Sequence, residues 1–587
     1  MRHMTTDLLF KNFHLLAGTP DGVKQLRQLI LQLAVQGRLV PQNPDDPPAS
    51  RLLQQIKAEK QRLIKEGKIK KQKPLPEIKP DEVPFELPKG WEWARLKYIS
   101  FDLGQKKPDM EFTYIDVASI ENNSGKVSRD LQVIQPQNAP SRARKIVLKN
   151  TVIFSTVRPY LLNIAVIEDD YSPEPIASTA FAILHPCSGI SSKFLFYYLR
   201  SNVFIDYVNS KMTGIAYPAI NDSNFFSGPI PIPPSPEQHR IVAKVDQLMA
   251  LCDELEARQE KQKVVHARLN KSALHVLTKS RTRDELSFNW TRLKDNFSLV
   301  FTTPESIQEL RSSILQLAVQ GRLVPQNPDD EPASELLQQI KAGKQRLIKE
   351  GKIKKQKPLP EIRPDEVPYE LPPGWVWTCF DEVGIVNPRN QLADELEVSF
   401  VPMASISDQY GVPVKYERGV WGKLKRGYTH LAENDIVLAK ITPCFQNKKS
   451  AVMKGLLNNF GAGTTELHVI RPINNLLISD YALLFLKTPI YISEGIPKMT
   501  GSAGQKRVPR DYFARTPFPL PPLPEQHRIV AKVDQLMALC DELEASLTRS
   551  QADGQKLMQS VVVGMSGQNM MKDSMSMVNA NNRLLES

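Results

Sequence analysis

Cysteine is scarce and unpatterned. The 587 residues contain five, Cys187, Cys252, Cys379, Cys444 and Cys540, and none stands in a C-x-x-C pair. Zinc-finger and thioredoxin-type readings fail on that spacing, and an odd count in a long chain fits a reducing compartment. No apolar run reaches the roughly 18 residues of a membrane span, and the amino terminus has no signal-peptide core. A cytoplasmic protein without membrane contact is expected. The G-x-x-x-x-G-K-[ST] phosphate loop is missing, as is the methyl-transfer signature of paired prolines after Asn or Asp followed by an aromatic; "NPDDPPAS" has the prolines without the aromatic.

Weaker catalytic patterns fail on internal comparison. "FGAGT" at 460–464 resembles a loop that cradles S-adenosylmethionine, but its counterpart near Pro175–Thr179 has no such glycines, so a turn before a strand is expected. "PDEVPFELPK" at 80–89 hints at the acids and lysine of a metal nuclease. Lys89 is replaced by Pro373 in the internal copy, and the acid-to-lysine spacing is one residue too long. His239 and His527 stand in "PEQHR" at helix starts, where a cap or packing role is expected. No Ser/His/Asp set can be assembled. Neither a catalytic residue, a metal ligand nor a bound cofactor is expected in this chain.

What the sequence does contain is itself, twice. Residues 30–93 align with 314–377 at an offset of 284, with 57 of 64 positions identical. "PEQHRIVAKVDQLMALCDELEA" stands at 236–257 and again, letter for letter, at 524–545. Between these constant blocks, 94–235 and 378–523 share a pattern but few letters: "FTYIDVASI" resembles "VSFVPMASI", "KMTG" occurs at 211–214 and 498–501, and "GPIPIPP" and "TPFPLPP" close the segments. Constant frames with differing inserts describe an adapter that does one job on two targets.

Residues 20–36 have apolar positions at helical spacing with Gly37 as the stop, and 48–66 read as a basic second helix ended by Gly67. The proline-rich stretch after it reads as an extended lead-in. The inserts carry short β-branched runs broken by Pro, Gly, Asn and Asp, expected as a mixed sheet or partly open barrel. In the second constant block Ile241, Val245, Leu248, Cys252 and Leu255 step by 4,3,4,3, and Ile529, Val533, Leu536, Cys540 and Leu543 repeat them. That is a coiled-coil seam, for a partner or a second helix. Residues 278–300 read as a linker, and 564–587 as a disordered tail.

Lys plus Arg outnumber Asp plus Glu by 76 to 64, a net charge of +12 that suits a phosphate-rich partner. The cations cluster in the inserts. The first holds Arg142, Arg144 and Lys145, then Arg158, Tyr160 and Asn163, then Lys211, Thr213 and Tyr217. The second holds Lys423, Lys425 and Arg426, then Lys440, Gln446 and Lys448, then Lys498, Thr500, Gln505, Lys506 and Arg507. Cations for phosphates mixed with Arg, Asn and Gln for base edges make these the candidate DNA-binding residues.

"LPKGWEWARL" and "LPPGWVW" opening the inserts, "VRPYL", the two "KMTG" loops and "IPIPPSPEQHRIVAKVDQL" together resemble the specificity (S) subunit of type I restriction–modification systems, and the long repeated amino-terminal region resembles the type IB branch. The resemblance implies an α+β fold of two mixed α/β target recognition domains separated by long antiparallel coiled-coil helices, as a pseudo-two-fold internal repeat. The expected domains are a helical region and lead-in over 1–92, recognition domains over 93–234 and 377–522, a central helical region over 235–376, a carboxy-terminal helix over 523–563 and the tail over 564–587. It further implies double-stranded DNA as partner, two modification subunits using S-adenosylmethionine, and restriction subunits using ATP and Mg, with no active site in this chain. A non-catalytic scaffold or RNA-binding adapter is the alternative.

Overall fold

A computed structural model describes residues 13, 17–19, 21–71, 74–214, 217–280, 282–355, 358–502 and 504–566. The expectation of a disordered tail falls, from residue 567 on, outside the described residues. The chain divides into two compact units, residues 1–261 with 550–587, and residues 262–549. The carboxy-terminal helix Leu523–Ser566 supplies its final turns, from Ser550, to the first unit.

The inserts fold alike although few of their letters agree. In the first, one four-stranded sheet has the order Gln132–Ile134, Phe112–Ile115, Pro175–Ser178, Ala143–Ile146, with the central pair parallel. A second has the order Ser100–Phe101, Phe181–Pro186, Val152–Ser155, Ile164–Val166. The second insert repeats both: Glu417–Val420, Glu397–Val401, Phe460–Gly463, Thr429–Ala432, again with a central parallel pair, and Gly384–Val386, Leu467–Pro472, Ile436–Ala439, Ser450–Val452. The mixed sheets are thus present, and strands Val152–Ser155 and Ile436–Ala439 are buried along their whole length, as apolar runs demand. In each unit a short antiparallel pair ties the two ends of the insert together, Glu92–Arg95 with Pro229–Ile232 and Val376–Thr378 with Phe518–Leu520.

Two expectations are corrected. "FGAGT" is not a turn before a strand; Phe460–Gly463 is itself a strand. A Cβ on Gly461 would stand 2.8 Å from the carbonyl oxygen of Ser399, and one on Gly463 2.9 Å from Leu467, so glycine is needed for strand packing. The stretch 278–300 is not an open linker. It holds the helix Arg283–Asp295, started by a capping box in which Thr282 Oγ1 accepts from the Glu285 amide at 3.2 Å and the Glu285 carboxylate accepts from the Thr282 amide at 3.4 Å.

The constant blocks pack on one another inside each unit. The helix Gly22–Val35 ends at Gly37, whose φ of +65° closes the turn through Gly37 N to Ala34 O and Arg38 N to Leu33 O. A Cβ on Gly37 would lie 2.6 Å from Pro88 and 2.9 Å from Trp91. The long helix Ser235–Lys279 buries Ile241, Val245, Leu248, Cys252 and Leu255 in one cluster with Leu26, Leu29, Ile30 and Leu33, joined by Met558 of the carboxy-terminal helix. The seam is therefore covered in this unit mainly by the shorter repeated helix. Ile529, Val533, Leu536 and Cys540 share a cluster with Ile307, Leu310, Ile314 and Leu317 of Pro304–Val319, and Leu543 packs at its edge half-buried. Each such large side chain contributes about 1.5–3 kcal/mol by leaving water.

Polar groups of the two repeated blocks also meet. Glu237 is buried and accepts from the Trp91 indole at 3.0 Å and from Gln42 at 3.3 Å; burial pushes its carboxyl up, and these two donors oppose that. Glu525 accepts from Trp375 at 2.9 Å and Gln326 at 3.0 Å. Asp46 pairs with Arg240, and Asp330 with Arg528, both at 2.6 Å. The seventeen repeated letters "ILQLAVQGRLVPQNPDD" and the "PEQHR" motif recur together because each is the other's packing surface.

Candidate nucleic-acid interface

In each insert, segments far apart in sequence are brought side by side. In the first, Val157 bridges Ala219 and Thr213 bridges the same residue, while the Arg158 amide donates to Pro218 O at 2.8 Å. Arg158 is held at φ +47°, with its guanidinium 5.0 Å from the Tyr217 ring centre. Tyr217 is 71% exposed and Tyr160 48%, and Lys211 and Thr213 are exposed as well. An arginine laid on an exposed aromatic is held in place yet keeps its donors free.

The second insert makes the same junction with other residues. Ile441 and Thr500 both bridge Arg507. Thr442 donates its amide to Lys506 O at 2.9 Å, and its hydroxyl accepts from the Lys506 amide and donates to Gly504 O, both at 3.1 Å. Lys498, Thr500, Gln505 and Lys506 stand exposed on the loop, Gln446 is exposed nearby in sequence to Thr442, and Lys440 is half-buried.

Other candidates are occupied by the fold. Lys145 is buried, with Asp222 3.5 Å away. Arg144 donates to Ala143 O, and Lys425 is held by both oxygens of Asp394 at 2.7 and 2.6 Å. Arg507 forks onto Glu466 at 2.9 and 2.7 Å, which holds that carboxyl below its ordinary value. Lys448 reaches Ser312 of the constant helix at 3.3 Å, and burial pulls its ammonium down. These five belong to the frame that presents the loops. Arg142, Lys423 and Arg426 are exposed, and Asn163 is half-exposed.

Arg389 was not legible as a candidate. It is exposed beside His430, with Nη1 3.2 Å from the imidazole Nε2. Nδ1 of that ring accepts from the Asn390 amide at 2.9 Å, so the Nε2 proton goes to Lys425 O at 3.0 Å. A neutral ring with both nitrogens engaged leaves Arg389 without a countercharge from it. The only sequence signal was "NPRNQ", polar and turn-like.

The catalytic patterns that fail in the sequence have structural uses. Glu82 of "PDEVPFELPK" is bound by Arg95 at 3.1 and 3.0 Å. His239 Nδ1 lies 2.8 Å from Ser235 O, within its own helix. No group of three or more metal-ligating side chains occurs among the described residues, and no described helix is long and apolar enough to cross a membrane.

Buried histidines give the inserts an acid-sensitive core. His185 shares a 2.8 Å hydrogen bond with Thr151 and stacks on Phe101; His468 donates to Val508 O at 3.0 Å and stacks on Phe513. Burial pushes both imidazoles down to about 4. Between there and the unfolded value near 6.5 the unfolded chain binds the extra proton. Stability is therefore complete above about pH 6.5 and is lost as pH falls through this window, by roughly 3 kcal/mol per histidine at its foot. Histidine NMR should find both rings neutral at pH 5 in the folded chain. Charging of either ring near pH 6.5 would contradict this.

Residues 94–266 and 373–550 match the family model described as type I restriction modification DNA specificity domain. The type I restriction enzyme EcoAI specificity subunit of Escherichia coli is 34% identical over 557 residues, spanning 89% of this chain and 90% of that one. The EcoEI specificity subunit of the same organism is 52% identical over 257 residues, 44% of this chain and 43% of that one. Among solved structures, the HsdS subunit from Thermoanaerobacter tengcongensis is similar at 24% identity and a TM-score of 0.45, covering 83% of this chain and 99% of that one. Two matched domains on one repeated frame, and a relative aligned over nearly its whole length, establish that the chain belongs to the type I restriction–modification specificity subunits.

Proposed function

We propose that each insert reads one half of a split double-stranded DNA site, and that the constant helices fix the distance between the halves. The observation that carries this reading is the pair of loop junctions, Arg158–Tyr217 and Thr442–Lys506, alike in backbone and different in side chains. A common backbone sets the approach to a duplex; differing side chains give each domain its own sequence. Half-sites about one helical turn (~34 Å) apart suit two such readers.

The chain itself performs no bond-breaking step in this account. Its repeated constant regions dock two modification subunits, which use S-adenosylmethionine, and restriction subunits, which use ATP and Mg, complete the complex in the cytoplasm. The adenine to be methylated leaves the stack for a partner's pocket. The long repeated amino-terminal region supports a type IB-like assembly. Adenine-methylation sequencing of a host genome with and without this chain, its modification partner present in both, tests the reading. A split motif that appears only with the chain is expected; methylation indifferent to the chain would contradict it.

A further inference from the structure

Strand Phe112–Ile115 passes directly into the helical turn Val117–Ser119. Asp116 caps that turn: its Oδ1 accepts from the Ser119 amide at 3.0 Å and from the Ser119 hydroxyl at 2.9 Å. Beside the cap lies a recess of about 580 Å³, lined by the polar side chains of Tyr114, Asp116, Arg142 and Asn163. Among the described residues, the Tyr114 hydroxyl, the Arg142 guanidinium and the Asn163 amide have no protein partner, and Asp116 keeps its second carboxylate oxygen free. Donors and acceptors that converge on one recess without pairing are groups held ready for an outside partner.

The second domain keeps the scaffold and changes this chemistry. Ala118, Ser119 and Ile120 recur as Ala404, Ser405 and Ile406, and the helical turn recurs as Met403–Ser405. Tyr114 becomes Phe400 and Asp116 becomes Pro402. By strand register, with Lys145 across from Ala177 and Thr429 across from Gly463, Arg142 corresponds to the exposed Arg426 and Arg144 to Tyr428, which packs edge-on against Phe400, ring centres 5.2 Å apart. Packing alone does not demand this polar set, because the sister domain keeps an arginine at Arg426 but has Phe400 and Pro402 in place of Tyr114 and Asp116 on the same sheets.

We propose that this recess is where the first domain reads one G·C base pair: Arg142 donates to the guanine edge, and the free oxygen of Asp116 accepts from the cytosine amino group. The residue types follow the major-groove code, in which arginine suits guanine O6 and N7 and a carboxylate suits cytosine N4. The proposal rests on the two-domain reading of a split site. Asp116 is a specificity-determining residue here, and Tyr114 and Asn163 hold the rim of the recess.

The test is Asp116→Asn in the full chain, co-expressed with its modification partner, with the methylated motif read from the host genome. Asparagine keeps an oxygen for the Ser119 cap but turns the free acceptor into a donor. Asp116→Asn is expected to relax or change one G·C position in one half-site by about tenfold, leaving the other half and the spacer unaltered. Arg142→Ala is expected to relax the same position. An unchanged motif in both variants, or relaxation at unrelated positions, overturns the proposal. If melting shows that a variant does not fold, Asn163→Ala is read in its place: relaxation at that position supports the proposal and an unchanged motif overturns it. If the unaltered chain directs no split motif, the two-domain reading fails instead, so the two failures are distinguishable.

Discussion

Replacing Arg471 by Ala is expected to cost the second unit about 3–5 kcal/mol. Its guanidinium meets Asp435, whose side chain is fully buried, through Nε at 2.7 Å and Nη2 at 2.8 Å. The Ala432 amide donates to the same carboxylate at 2.7 Å, and Arg471 Nη1 donates to Asn390 at 2.9 Å. Without the arginine, a buried carboxylate loses its countercharge, and the loop carrying Arg389 loses a tether. The matching positions of the first unit are Thr151 and His185, a neutral pair at 2.8 Å. Asp435→Thr combined with Arg471→His is therefore expected to recover most of the loss. Because two units need not unfold together, the measurement is hydrogen exchange of Ile436–Ala439 within the full chain. Exchange unchanged in the single variant would contradict the assignment.

The second large effect concerns DNA. Lys498 and Lys506 are exposed on the "KMTG" junction and form no ion pair among the described residues, whereas Arg507 is committed to Glu466. Lys498→Ala with Lys506→Ala should lower affinity for a cognate duplex about 10–100-fold at low salt. It should also reduce the slope of log affinity against log salt by about 2, near 0.9 for each phosphate that is no longer neutralised. Lys448→Ala, on a side chain directed to Ser312, is the control and should leave the slope unchanged. Equal slopes for the double variant and the unaltered chain would remove this loop from the interface.

The frame was legible because repetition reveals it. Identical blocks placed the helices Gly22–Val35 and Ala49–Lys65 within a residue or two, and the seam residues Ile241 to Leu255 lie inside one long helix, as their spacing requires. The helix Arg283–Asp295 was hidden because its sequence is polar and weakly periodic, although Thr282 and Glu285 spell a capping box. "FGAGT" misled because glycine signals turns locally, while here it answers a neighbouring strand 62 residues earlier, Gly461 opposite Ser399. For the site, composition located the right loops but could not separate free cations from paired ones. Lys145, Lys425 and Arg507 find their carboxylates through folding, at Asp222, Asp394 and Glu466. Sequence distance conceals such pairings, and only the folded chain brings them together.

The most direct test of the account is a chimera in which residues 378–523 replace 94–235 on the unaltered frame, with its methylated motif read from the genome beside that of the parent chain. If each insert reads its own half-site, the half belonging to the first insert disappears and the half belonging to the second occupies both positions. A fully methylating chimera that keeps the parent motif would contradict the claim that recognition lies in the inserts and geometry in the repeated frame.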